Sequence, residues 1–292
     1  MEIGRRGRPL RGTVPGVETG DDAREIPLTG GNASADVVRV DDTVRKPWHA
    51  GTPLVARYTE ALRAAGIDVP AHLGRDDRGR QIIEHVPGVL AMDIGQLDVG
   101  QLERVGRLVR DVHEASAALP RDRLPLSPIP GTTADERGTS EPHGARWEVL
   151  LPAPTPPELI CHHDIAPWNL LVDGERMILI DLDGAGPSTR AWDLAYAAQS
   201  FSGMVAGAEP ADVAARLRAL VVDGYEADAD LRAQLPRLLA ERAQAMHDLL
   251  ARSHAEGREP WGSMFMTGHG EHWREAALFA ADHEEEWRGA LS

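Results

Sequence analysis

The chain has 292 residues, of which 42% are hydrophobic, and a formal charge of −15. That length suits one large domain or two modest ones sharing a cleft, with ordinary apolar content for a core. The negative balance excludes nucleic acid as a main partner, because neutralising phosphates needs basic patches, and no run reaches the ~18 apolar residues of a membrane helix. An acidic surface attracts cationic ligands, although solubility is sufficient reason for it. The one cysteine, Cys161, excludes an internal disulfide and a multi-cysteine zinc site, and fits a reducing cytoplasm. The opening MEIGRRGRPLRG is basic, but no apolar segment follows, so it does not read as a secretory signal.

Residues 1–24 are rich in Gly, Arg and Pro without periodicity and read as a flexible arm. A β-rich segment carrying one helix follows, over 25–88. EIPLTGGNASADVVRV predicts strand, glycine turn, strand, and DDTVRKP continues as a third strand after an Asp-Asp turn. TPLVARYTEALRAAG places Leu54, Val55, Tyr58 and Leu62 at helical spacing and stops at Gly66. GRQIIEHVPG predicts another strand, closed by Pro87-Gly88. From residue 89 to 292 the pattern is mainly helical. Leu102, Val105, Val109 and Val112 form one stripe of a core helix, and 120–157, rich in Pro, Gly and Ser, reads as a long surface excursion. Later helices are expected over 191–200, 211–222, 231–253 and 272–291.

Between them lies ELICHHDIAPWNLLVDGERMILIDLDGAG. An apolar strand runs into a polar loop and out into a hairpin turned at Asp173-Gly174. Pairing about that turn sets Asn169 opposite Ile180 or Asp181. Strand alternation puts Met177, Leu179, Asp181 and Asp183 on one face, which leaves the core at Asp181. An amide and a carboxylate at adjacent strand ends are ligands for a hard cation such as Mg2+. Asp164, in a loop stiffened by Pro167, is placed to orient a hydroxyl and accept its proton during phosphoryl transfer. A rival reading makes Cys161, His162, His163 and Asp164 a transition-metal cluster. Neighbouring residues of an extended segment point to opposite sides, which argues against it.

His162-x-Asp164-x-x-x-x-Asn169, Asp181 in Ile-Asp-Leu-Asp, and Trp192-Asp193-Leu194-Ala195 resemble the aminoglycoside phosphotransferases and the wider bacterial phosphotransferase-enzyme family. The resemblance covers roughly 40 residues in detail, with weaker similarity from about Pro27 onward. It implies an α+β, protein-kinase-like two-lobe fold, with a nucleotide-binding lobe over 25–88 and a catalytic and acceptor-binding lobe over 89–292. It also implies ATP and Mg2+ as cofactors, Asp164 as catalytic base, and Asn169 and Asp181 as metal ligands. Asp193 would bond the catalytic-loop backbone from the start of a helix, and His162 would brace the loop.

The nucleotide side is less marked. Gly30 and Gly31 lie in a turn between strands whose amides could cradle phosphate, though a Gly-Gly hairpin turn explains them equally. Similar proteins carry a basic residue directly before the proline of TVRKP, which favours Lys46 over Arg45 for the phosphates. Alternation then puts Val44 on the same face for adenine, while an exposed basic strand end is the plainer explanation. Glu60, the only acid in the following helix, is not firmly placed as a partner for Lys46. Glu84 and Val86 stand where a hinge would meet adenine, and a strand-to-turn junction fits as well.

Resemblance permits an antibiotic such as an aminoglycoside as acceptor, in the cytoplasm of a resistant cell. A kinase for a metabolite such as choline, homoserine or a sugar, and a nucleotide-binding pseudokinase with a regulatory role, remain alternatives. WGSMFMTGHGEHW either closes over the acceptor or packs between the last helices.

Overall fold

The computed structural model describes residues 24–28, 37–120, 124–126 and 145–292. The arm up to residue 23, the turn with Gly30 and Gly31, and most of 120–157 lie outside the described residues.

Strands β1 (Ile26–Pro27), β2 (Val38–Val40) and β3 (Thr43–Lys46) run antiparallel. Asp41 takes the left-handed φ of 51° at the turn between β2 and β3, a conformation short polar side chains tolerate. Helix α1 (Thr52–Ala64) buries Leu54, Val55, Tyr58 and Leu62 as the spacing requires. Strands β4 (His72–Arg75) and β5 (Gln81–Glu84) complete a sheet of order β1-β2-β3-β5-β4. No strand was expected at β4: HLGR lacks an alternating pattern, and its pairing shifts register between His72 and Gly74, where Gly74 has a φ of 117°.

After β6 (Val89–Leu90) and the short α2 (Ala91–Ile94), helix α3 (Val99–Ala117) opens with a reciprocal cap between Asp98 and Gln101. Its stripe of Leu102, Val105, Val109 and Val112 is fully buried. Strand β7 (Leu159–Cys161) pairs with β10 (Gly186–Ser188), while β8 (Leu170–Asp173) lies between β6 and β9 (Arg176–Leu179). Helices α4 (Arg190–Ser202), α5 (Pro210–Arg218), α6 (Ala229–Glu256), α7 (Trp261–Met264), α8 (Gly270–Asp282) and α9 (Glu284–Ala290) follow. The single helix expected over 272–291 is two, broken at His283, whose ring bonds the Phe279 carbonyl at 3.0 Å.

The second half of the expected surface excursion is not superficial. Trp147 and Leu151 are buried; the Trp147 indole donates to the Pro125 carbonyl at 2.8 Å, and the Trp192 indole donates to that of Leu151 at 3.0 Å. Irregular backbone hides such anchors from any periodicity test. Two helices are pinned to strand β7 itself. The Tyr58 hydroxyl of α1 and the Ser116 hydroxyl of α3 both donate to the Ile160 carbonyl, at 3.2 and 2.6 Å. Gly106 lets α3 approach the wide turn at 219–224, where a Cβ on it would come within 2.1 Å of the Leu220 carbonyl oxygen.

Candidate active site

The β8–β9 register pairs Leu170 with Leu179 and Asp173 with Arg176, so Asn169 stands opposite Ile180. Ile180 N–H donates to the Asn169 carbonyl at 3.0 Å. The predicted alternation then fails. Asp181 has a left-handed φ of 61°, and Leu182–Gly184 close a tight turn instead of extending the strand. That turn still brings Asp183 beside Asp181, by a route alternation does not describe.

Asp164 follows His163, which also has a left-handed φ, of 70°. The Asn169 side-chain amide donates to the Asp164 carboxylate at 2.7 Å and to its carbonyl at 2.9 Å, so the amide oxygen is the end left for another partner. The Trp168 indole lies 3.5 Å from the same carboxylate, and the Tyr196 hydroxyl of α4 hydrogen-bonds it. Burial pushes the Asp164 carboxyl above the usual range; Tyr196, His162 and Asn169 oppose that only in part.

The loop is held from beneath. Asp164 N–H donates to His162 Nδ1 at 3.3 Å, and His162 Nε2 donates to the Ile180 carbonyl at 3.0 Å, which is the brace expected of His162. Asp193, in the first turn of α4, accepts from His163 N–H at 2.7 Å and from His113 Nε2 at 3.1 Å. Burial works against ionising Asp193, yet His113, then His163 and His162, bring it down to about 2. Arg242 of α6 is buried over the rings of Tyr196 and Trp192, at 4.3 and 5.5 Å, and donates to the His163 carbonyl at 3.2 Å.

Lys46 enters from the sheet. Its Nζ lies 2.5 Å from Asp181 and 2.7 Å from Asp183, and the residue is buried, not an exposed strand end. Burial alone would lower the Lys46 pKa, but the two carboxylates raise it. The Asp181 side chain is 44% exposed; the atoms packed around its carboxylate oppose ionisation, and Lys46 outweighs them, holding Asp181 below the usual carboxylate range. Gln81, opposite Lys46 on β5, donates to Asp183 at 3.1 Å. Arg45 faces the other way, 3.6 Å from Asp76. Glu60 is exposed on α1, and the acids beside Lys46 are Asp181 and Asp183. Asp183 drew no role from the sequence; its spacing two residues past Asp181 was the available signal.

Glu84 is not brought to this cluster. It lies opposite Thr43, at the far end of β3 from Lys46, and its carboxylate accepts from Ala71 N–H at 2.9 Å and Arg63 at 3.2 Å. Val86 is half-buried just beyond β5.

The donors gathered here are Asn169, Asp181 and Asp183, all oxygen, of the kind a hard cation takes, and the Lys46 ammonium already sits between two of them. The rival metal cluster does not assemble. His162 bonds the Ile180 carbonyl, His163 that of Gly186 at 3.2 Å, and Cys161 that of Thr189 at 3.7 Å. Cys161 instead lies with His113 and Asp193, ligand atoms within 4.8 Å of one another, but each is committed to a hydrogen bond.

The family model described as the phosphotransferase enzyme family (APH) matches residues 24–231. No curated protein gives a significant match. Among solved structures, a choline/ethanolamine kinase family protein from Mesorhizobium loti superimposes with a TM-score of 0.56 at 17% identity, over 94% of this chain and 92% of that one. A microcompartment-associated aminopropanol kinase gives 0.53 at 17% identity, over 93% and 92%. An amicoumacin kinase in complex with AMP-PNP and Ca2+ gives 0.51 at 11% identity, over 82% and 86%. At these identities the likeness establishes a shared kinase-like fold. With the family model spanning most of its length, the chain belongs to the phosphotransferase enzyme family and is a small-molecule phosphotransferase.

Proposed function

We propose that the protein moves the γ-phosphate of ATP to a hydroxyl of a small organic molecule, with residues 25–88 holding the nucleotide and 89–292 carrying catalysis and the acceptor. The observation that carries this reading is one junction. Asn169 bonds the Asp164 carboxylate at 2.7 Å while Lys46 reaches from the sheet to Asp181 and Asp183. A structure of similar fold holds AMP-PNP and Ca2+, which supports a nucleotide with a divalent ion here. Asn169, Asp181 and Asp183 would hold Mg2+, which when bound draws charge from the phosphate oxygens.

The chain's own residues do the rest. Asp164 accepts the proton of the incoming hydroxyl through its carboxylate, held in one orientation by Asn169 and Tyr196. Lys46 offers its ammonium to phosphate, and its burial under the sheet keeps that charge out of water, where it counts for more. Dependence on ATP and a buried free Cys161 are consistent with work in the cytoplasm. Resistance and metabolism are then distinguished by the acceptor alone.

The test is Asp164→Asn, assayed for phosphate transfer and, by calorimetry, for Mg2+–ATP binding. Transfer is expected to fall by at least about 100-fold, the usual worth of a positioned base, with nucleotide binding retained. Wild-type turnover in the variant on a genuine acceptor would remove Asp164 from the chemistry.

A further inference from the structure

Helix α6 delivers a charged side chain to the underside of the loop that carries Asp164. Arg242 is 2% exposed, and of its guanidinium nitrogens only Nη2 finds a partner among the described residues, the His163 carbonyl at 3.2 Å. Nε and Nη1 are buried without one. The guanidinium carbon lies against two rings of α4, 4.3 Å from the centre of Tyr196 and 5.5 Å from that of Trp192. Burial pulls the Arg242 pKa below the ordinary arginine value, with Tyr196, Asp164 and Asp193 opposing. A buried charge with two idle donors is a poor filling for a core, because an apolar side chain of similar volume commonly serves stability as well or better. The use of Arg242 lies in what it grips.

It grips the peptide that joins His163 to Asp164. The oxygen of that peptide accepts from Arg242, and its N–H donates to His162 Nδ1 at 3.3 Å, so the unit is held at both ends. Because a peptide is rigid and planar, this fixes the mount from which the Asp164 side chain projects. His163 carries a left-handed φ of 70°, which a residue with a side chain keeps only where its surroundings over-determine it. Asp193 accepts from the His163 N–H at 2.7 Å and the Gly186 carbonyl accepts from its ring at 3.2 Å; Arg242 supplies the third restraint. The same guanidinium lies on the Tyr196 ring, whose hydroxyl hydrogen-bonds the Asp164 carboxylate. One side chain thus restrains Asp164 through its backbone and through its phenol partner.

We infer that Arg242 is a positioning residue for phosphoryl transfer, locking the His163–Asp164 peptide and the Tyr196 ring so that the Asp164 carboxylate meets the acceptor hydroxyl in one orientation. This rests on the reading of Asp164 as catalytic base and deepens it. Buried beneath the loop, Arg242 acts through Asp164 and not on the acceptor itself.

The test compares the full chain with its Arg242→Met and Arg242→Lys variants, using Mg2+ and radiolabelled ATP. The acceptor is whichever aminoglycoside, choline, homoserine or sugar the wild type phosphorylates fastest, or water where it takes none. Arg242→Met has similar reach but neither charge nor donor. Its kcat should fall about 10- to 100-fold, the cost of a slightly misplaced reacting group, while KM for ATP stays within about twofold. Its thermal midpoint should stay within about 4 °C of wild type, because the variant gives up one hydrogen bond and also sheds two unpartnered nitrogens. Arg242→Lys keeps a donor for the carbonyl but cannot lie flat on the rings, so its kcat should fall between the two, at least about threefold below wild type. Should Arg242→Met fail to fold, the Lys variant decides by the same split between kcat and KM. Wild-type kcat in either folded variant, or a loss confined to KM for ATP, overturns the inference and leaves the phosphotransferase reading standing. A large fall in midpoint with kcat per folded molecule unchanged overturns it as well, reducing Arg242 to a support of the fold. A wild type with neither transfer nor ATP hydrolysis overturns the underlying reading and the inference with it.

Discussion

Asp193→Asn removes a charge while keeping the shape of the side chain. Asp193 is buried, and its pKa is brought from the ordinary 3.8 to about 2, burial opposing ionisation but His113 and the loop histidines prevailing. A depression of that size corresponds to roughly 2 kcal/mol of stability. The folded pKa is the lower one, so this stability is fully present above the ordinary value and is lost as pH falls through the folded value. Between about pH 4 and pH 2 the wild type gives up an increment that the Asn variant never had. Urea unfolding across a pH series is the assay. The gap between the proteins should be roughly 2 kcal/mol near neutrality and should shrink below about pH 4. A gap under about 0.5 kcal/mol at neutral pH, or one that does not change with acid, refutes the reasoning.

Tyr196→Phe removes a hydrogen bond that favours the ionised form of Asp164, so the carboxyl rises further. A base must be ionised to accept a proton, and the acid limb of the kcat profile should therefore move to higher pH; an unmoved limb disconnects Tyr196 from the base. Lys46→Met leaves Asp181 and Asp183 facing each other without their ammonium. Mg2+ alone should then raise the thermal midpoint of the variant more than that of the wild type, while KM for ATP rises about tenfold; an equal Mg2+ response in both proteins speaks against a shared cation site. Gly106→Ala drives a Cβ into backbone, 2.1 Å from the Leu220 carbonyl oxygen and 2.6 Å from Tyr225 N, and should cost about 2 kcal/mol or more. Gly289→Ala, with nothing within 4 Å of its Cβ, is the control and should be neutral or stabilising in a thermal melt.

The parts of this architecture written in local pattern were legible. The stripe of α3 and the Asp173-Gly174 turn are repeats of one side-chain period or one dihedral preference, and both fall where the residues put them. The neighbourhood of Asp164 and Asn169 was legible for the same reason, since five residues and a hairpin register fix it. What escaped depends on single backbone angles or distant partners. Asp181 adopts φ 61° and ends the alternation that was to carry Asp183, so the two acids meet by a tight turn. The partners of Lys46 lie 135 residues or more away, while the acid nearest in sequence, Glu60, is exposed. His113 reaches Asp193 from α3, whose own pattern advertises only a core face, and Tyr225 bonds the other ring nitrogen of His113.

Asp164 is half-buried and Asp181 more open to solvent, yet neighbouring atoms displace water around both carboxyls and push each toward the neutral form. Their outcomes differ because their partners do. Asp181 has a full ammonium against it, and Lys46 holds it ionised. Asp164 has an amide, an indole and a phenol beside it and only the His162 ring to offer charge, and its proton affinity stays high. Two acids whose surroundings drive them apart divide the chemistry: the ionised one suits a cation, and the more basic one suits a proton. The positive groups that could have evened them are engaged elsewhere. Lys46 is bound between Asp181 and Asp183, and Arg242 is sandwiched by rings with its bond to the His163 carbonyl. Moving one of those charges to Asp164 would cost basicity where the proposed reaction needs it.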